Sequence, residues 1–292
     1  MDPAEVELLS ETLRKTMTAS TGGPALETAL VELGWPELLA EFPEVAIPTV
    51  FRLLGETGAR AAVLNDVVLH AAGRPLGGAP VLPYAGGRWV VWEREGAASD
   101  YGPALAPDGP PKPDVGAPPK RAADGPLKPA ASLDPELPLR SVPAGDPLPL
   151  EAGRRALGWW LLGSGRAMLA LARTHVLGRE QFGRPLASFQ AVRHRLAETF
   201  VALEGAEAAL VAAEDPFGSL LAKAAAGQAA LTAARHCQQV LGGIGFTAEH
   251  PLHRHVRRAL VLDGLLGSAR ELTREAGARL RAEGAAPRLV QL

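Results

Sequence analysis

Cysteine is almost missing from this chain of 292 residues: Cys237 stands alone. A single thiol closes no intramolecular disulfide, so the fold must stand on packing, and a reducing cytoplasm is its natural compartment. An excess of either charge is missing too. Thirty Lys and Arg against 32 Asp and Glu leave a net charge of -2, which gives neither nucleic acid nor an anionic membrane a surface to hold. No apolar run reaches the length that spans a bilayer. The first residues, MDPAEVELLSETLRK, are acidic and amphipathic, without the basic start and apolar stretch of a signal peptide. What is present is 47% hydrophobic and 21% charged residues, enough to bury a core as one large or two modest domains.

Three regions differ in character. Residues 1–75 read as short helices, a reduced helical N-terminal region. Val6, Leu9 and Leu13 fall on one side of a helix over Glu5 to Lys15, and Pro24, Pro36 and Pro48 each fit near a helix start. Pro48 to Ala72 reads as a buried helix interrupted near Gly55 and Gly58. Residues 76–149 form a short, degenerate β and proline-rich segment. Val81 to Tyr84, Gly86-Gly87 and Arg88 to Trp92 spell a hairpin. From Gly102 to Pro149 the chain then holds 14 of its 26 prolines, which forbids helix and central strand alike and leaves a loop or isolated edge strands.

Residues 150–292 are predicted to be helical almost throughout. The first helix covers Glu151 to Leu177. The second is capped by Ser188 and carries Val192, Leu196, Phe200 and Leu203. The third starts at Asp215-Pro216 and runs to Leu241. The fourth begins near Pro251 and continues through Leu252, Val256, Leu260, Leu265, Ala269 and Leu272. The fold class is therefore mainly α, built on a C-terminal antiparallel four-helix bundle.

Two of the helix junctions carry chemistry. The first reads REQFGRPLASFQ, with Arg179, Gln181, Phe182, Gly183, Phe189 and Gln190. The second reads QQVLGGIGF, with Gln239, Gly242, Gly243 and Gly245. An arginine fork grips phosphate oxygens in bidentate fashion, and adjacent glycines let another molecule approach the backbone. Arg179 also reads as a solvated helix end, Phe182 and Phe189 as core, and the glycines as a helix cap.

The pair of junctions resembles the C-terminal helical domain of the acyl-CoA dehydrogenases. The resemblance covers about 140 residues, is faint over the first 75 and nearly absent over 76–149. It implies FAD as cofactor, with Arg179, Gln181, Phe182, Phe189, Gln190, Gln239, Gly242 and Gly243 holding the adenosine diphosphate part of a flavin seated in a neighbouring subunit. It also implies dehydrogenation of an acyl-CoA thioester, with an electron-transfer flavoprotein as the kind of acceptor. The family's general base is a glutamate at one of two places, and here those places hold Leu266 and Gly153. Glu151 lies two residues out of register. Asp263, Glu249 and Glu271 are the remaining acids, and none fits well.

Without a base, and with a middle region too short for the family's flavin-cradling domain, no catalytic residue is expected on this chain. The resemblance narrows to the short, non-catalytic subunit of the actinobacterial α2β2 enzymes that act on CoA thioesters of steroid side chains. A longer subunit would then supply flavin pocket, base and substrate tunnel. A homomeric enzyme using Asp263 or Glu249, and a flavin-free scaffold, are the other readings. His250, His253 and His255 lack a carboxylate at useful spacing and are expected to be surface or interface histidines rather than metal ligands. Cys237 is expected to be buried packing.

Overall fold

Capping and proline signals place most of the helices where the sequence puts them. In the computed structural model, residues 1–20, 22–94 and 133–284 are described. Helix α1 (Pro3–Ala19) opens on a capping box between Asp2 and Glu5. Helices α2 (Pro24–Glu32) and α3 (Trp35–Glu41) each start with proline in the first turn, where a missing N–H costs nothing. Pro48 behaves otherwise. It lies inside α4 (Pro43–Thr57), and Pro43 starts that helix. The stretch expected as one interrupted helix is two. Gly58, at φ 71°, ends α4, and α5 covers Val63–Ala71. Gly55 does not interrupt: it is an interior residue of α4.

Strands β1 (Val81–Tyr84) and β2 (Arg88–Trp92) form the expected hairpin. Strand β3 (Leu139–Val142) adds to the outer side of β2, Val90 opposite Ser141. It is the edge strand that a proline-rich segment permits. Residues 95–132 of that segment lie outside the described residues. Its return is anchored by Asp134, which is wholly buried. The Arg258 guanidinium, 1% exposed, donates to Asp134, to Glu136 at 2.9 Å and to the Ala59 carbonyl at 3.1 Å.

The C-terminal helices are α6 (Glu151–Gly178), α7 (Gln190–Val211), α8 (Pro216–Leu241), α9 (Leu252–Gly264) and α10 (Ala269–Glu283). Asp215 caps α8 through the Gly218 N–H, as expected. Two expectations are corrected. Ser188 does not cap α7: it belongs to a short 3-10 turn, Leu186–Ser188, and bonds the Pro185 carbonyl, while Phe189 is the cap residue. The fourth helix is broken into α9 and α10 between Gly264 and Ala269. Among the described residues no helix is long and apolar enough to cross a membrane.

Helix α6 is the axis of the core. Fourteen of its 28 residues are buried, packed by α4 on one side and α7, α8 and α9 on others. The crossing with α4 is a backbone contact. A Cβ on Gly163 would stand 2.1 Å from the Arg52 carbonyl, and one on Gly55 would stand 2.4 Å from the Trp160 carbonyl. Beside it, Trp35, Phe51, Trp160 and Trp92 meet ring to ring at centroid distances of 5.6–6.3 Å, which ties α3, α4, α6 and β2 together. Gly163→Ala should therefore push α4 off α6 and cost about 2 kcal/mol or more. Urea denaturation checks this; an unchanged midpoint would mean the crossing tolerates a methyl group.

Candidate functional site

The residues singled out in the sequence gather at the two ends of α6. Its C-terminal end carries the first junction. Arg179 closes the helix in extended backbone, and a two-residue hairpin follows, with Gln181 paired to Arg184. Phe182 and Gly183 at its tip have φ of 56° and 75°, the positive pair that such tight hairpins require. Phe182 is 90% exposed. Its ring meets Phe189 edge-on at 6.1 Å, and the Arg184 guanidinium covers the Phe189 ring at 4.2 Å. Gln181 and Gln190 are exposed. Gln181 donates to the Glu180 carbonyl at 2.7 Å and Gln190 meets His194 at 3.4 Å.

The antiparallel run of α7 and α8 brings the second junction to the same end. Gly242 to Phe246 form a 3-10 turn after α8, and the His175 ring on α6 meets His250 beyond that turn at 6.4 Å. Gln239, Gly242 and Gly243 are exposed. Gly242 has φ 67° and ψ -143°, a conformation essentially reserved for glycine. Gly243 is not required by positive φ, and a Cβ there would meet nothing within 4 Å. Nothing inside the chain calls for a bare backbone at that position, so the room it leaves is outward.

Cations predominate at this end, with Glu180 and Glu249 as exposed acids beside the two junctions. Among the described residues Arg179, Arg184 and Arg193 have no carboxylate within ion-pair reach, although Arg166, about three α6 turns before this end, is paired with Glu204 and Glu207. Burial, His250 and Arg179 together lower the pKa of His175. Bare glycine backbone, the three exposed amides of Gln181, Gln190 and Gln239 and these guanidiniums form a set suited to a diphosphate, and the exposed Phe182 edge beside them suits a purine ring. The residues present therefore fit the adenosine diphosphate half of FAD. Arg184 was not singled out from the sequence, though the run REQFGRP contains it.

The other end of α6 holds the two places where a base was sought, and they touch. A Cβ on Gly153 would stand 2.7 Å from Leu266 Cδ1 and 2.9 Å from Val68 Cγ2. Leu266 is 1% exposed and sits at φ 56° in the break between α9 and α10. The break is bolted to the β hairpin. Leu266 N–H donates to the Pro83 carbonyl and Ala85 N–H to the Gly264 carbonyl, both at 2.8 Å. The Tyr84 ring lies against bare Gly264. From inside, Lys223 Nζ donates to the carbonyls of Asp263 and Gly267. Complete burial brings the Lys223 ammonium down to about 7.

The acids weighed as substitutes are engaged elsewhere. Asp263 was expected on the face of Leu266, but the helix ends between them; its Oδ1 accepts the Ala269 N–H at 3.0 Å and starts α10. Glu271 completes a capping box with Ser268 and accepts the Gly86 N–H at 2.7 Å. Those backbone donors hold its carboxyl below the usual range, the wrong direction for a base. Glu249 is exposed at the far end of α9. Of the three histidines, His255 corrects the expectation of a surface role. It is 8% exposed, and burial beside Arg254 and Arg258 lowers its pKa to about 4. Among the described residues no group of His, Cys, Asp and Glu could hold a metal ion. Cys237 is buried, and burial raises its thiol pKa to about 12.

Residues 148–280 match the model of the acyl-CoA dehydrogenase C-terminal domain. The acyl-CoA dehydrogenase FadE34 of Mycobacterium tuberculosis is 35% identical over 228 residues, 72% of this chain and 30% of that protein. The acyl-CoA dehydrogenase IpdE2 of the same organism is 33% identical over 157 residues, 50% of this chain and 49% of the relative. The chain thus spans half or less of these relatives. Over nearly its whole length it shares the fold of a chain in the ChsE4-ChsE5 complex from Mycobacterium tuberculosis, at TM-score 0.66 and 21% identity, covering 99% of each chain. A variant of the Tcur3481-Tcur3483 steroid ACAD gives TM-score 0.65 at 24% identity, with 97% of this chain and 99% of that one covered. Residues 148–280 belong to the acyl-CoA dehydrogenase family as its C-terminal domain.

Proposed function

We propose that this chain is the non-catalytic subunit of a heteromeric, FAD-dependent acyl-CoA dehydrogenase. The observation that carries this reading is the contrast between the two ends of α6. At one end exposed amides, unpaired guanidiniums and bare glycine backbone face outward. At the other, both base positions are hydrocarbon. Twenty-six residues of helix separate Gly153 from Arg179, about 39 Å at 1.5 Å per residue, farther than the flavin and adenine ends of one dinucleotide lie apart. The donor end therefore serves a flavin seated mainly in another subunit.

In this arrangement Arg179 pairs with the pyrophosphate, and Gln181, Gln190 and Gln239 supply neutral donors. Gly242 and Gly243 let the cofactor lie on bare backbone. Phe182 and Phe189 flank the adenine. FAD, when bound, supplies the hydride acceptor for α,β-dehydrogenation of the thioester. The longer subunit provides the isoalloxazine pocket, the base and the acyl-CoA tunnel. The likeness in fold to chains titled a steroid ACAD and a ChsE4-ChsE5 complex supports a heteromer acting on a bulky steroid side-chain acyl-CoA, and an electron-transfer flavoprotein is the acceptor suited to it.

Arg179→Ala, in a complex co-expressed with a longer acyl-CoA dehydrogenase homologue from the same source, should weaken flavin retention by about 1.5–3 kcal/mol and leave the complex assembled. Flavin absorbance before and after dialysis reads it; retention equal to wild type would make Arg179 a solvated helix end. Leu266→Glu should not create an active site. The new carboxylate would be buried among Gly153, Val68 and Leu64 and would cost about 2–4 kcal/mol. Lower melting with unchanged turnover per flavin is expected, and a doubled flavin content or turnover would show a latent site lacking only its base.

A further inference from the structure

Among the described residues nothing covers the outer face of α6 over its second half. Two adjoining cavities lie there, of about 700 Å³ between α6, α4 and α7 and about 600 Å³ between α6, α4 and the start of α9. They share Glu56, Ala167 and Ala170, so they form one groove along α6. Its floor is made of small side chains at helical spacing, Ala167, Ala170 and Thr174. Its wall on α7 is apolar: Leu196, Leu203 and Phe200, the last 54% exposed. Val201, next on the same helix, is 67% exposed, and Leu177, at the end of the α6 stripe, 59%.

The charges around the groove are graded. At the α7 end the rim is neutralised within the chain, Arg14 by Glu56 and Arg166 by Glu204 and Glu207. Toward the C-terminal end of α6, Arg173 and Arg254 line it, and among the described residues neither has a carboxylate partner. The groove then runs through Thr174, His175 and His250 into the junctions that the proposed function turns toward the longer subunit. A floor of small residues admits a helix at close range. An apolar wall calls for an amphipathic face, and unpaired arginines at one end call for carboxylates there.

We propose that this groove seats an amphipathic helix of the longer subunit, apolar toward Ala167, Ala170 and Phe200 and acidic toward Arg173 and Arg254. The inference rests on the heteromeric reading and deepens it: the contact that holds the complex together is distinct from the donors that hold the flavin. The occupant is the longer subunit rather than a second copy, because the groove is continuous with the end where that subunit's cofactor is placed.

The test uses the full chain co-expressed with the longer homologue. Ala170 is exposed, so Ala170→Trp fills the groove from the solvent side with the core intact; Arg173→Glu reverses the free charge. Affinity should fall at least tenfold in each, with the melting temperature of the chain unchanged. The salt dependence of assembly should flatten in Arg173→Glu. Whatever complex forms should keep its flavin per complex, the opposite of the Arg179→Ala pattern. Wild-type affinity in both variants would overturn the groove and leave the heteromer standing. Failure of the wild-type chain to bind the longer homologue would overturn both. A wild-type chain that dimerises alone, and becomes monomeric on Ala170→Trp, would assign the groove to a second copy and overturn the proposal.

Discussion

Everything in this structure is referred to α6. A helix of 28 residues with half of its positions buried can neither bend nor slide without opening the core. The glycine crossing with α4 removes the remaining freedom, since Gly55 and Gly163 bring the two backbones into contact. The chain of four aromatic rings then fixes β2 and α3 to the same axis. A rigid axis of that length decides what the chain can do. It holds the phosphate-type donors and the would-be base position apart by about 39 Å, so the two cannot act on one molecule of cofactor within one chain.

The base end is closed by construction, beyond the loss of one carboxylate. Leu266 fills the hollow left by Gly153. The β hairpin hydrogen-bonds the break on both sides of it, Tyr84 covers Gly264, and Lys223 holds the carbonyls from behind. The Leu266 N–H and the Asp263, Gly264 and Gly267 carbonyls are all hydrogen-bonded, and Asp263 and Glu271 have been turned into helix caps. The donor end is the reverse. Among the described residues Arg179, Arg184 and Arg193 lack carboxylate partners, Phe182 stands almost fully in solvent at positive φ, and a Cβ on Gly243 would meet nothing within 4 Å. Exposed apolar and cationic surface of this kind is what the proposed interface with a longer subunit would cover.

Legibility followed the range of the forces involved. Helices α6 and α8 were readable to within a residue because their limits are local: apolar periodicity, the Asp215 cap, Pro216 in the first turn. The two junctions were readable because their residues lie in short runs. The break between α9 and α10 was not found, since Leu260, Leu265, Ala269 and Leu272 keep helical spacing across it and the forces that break it come from Pro83 and Lys223, distant in sequence. One local signal was present, the Ser268 to Glu271 capping box. The position of Pro48 misled because Pro43, a turn earlier, already served as the start. His255 was misjudged because burial beside Arg258 and the Asp134 return is a tertiary fact. That Leu266 and Gly153 meet was also beyond the sequence: they are alternative places in a one-dimensional pattern and become one place only in the folded chain.

The central claim is that this chain completes a flavin site it does not own. The most direct measurement is flavin content, read from the visible absorbance of the purified chain expressed alone and of the same chain co-expressed with a longer acyl-CoA dehydrogenase homologue from the same source. The account predicts a colourless chain alone, and a yellow, active complex with fewer flavins than subunits. A yellow homomer with one flavin per chain and dehydrogenase activity of its own would contradict it.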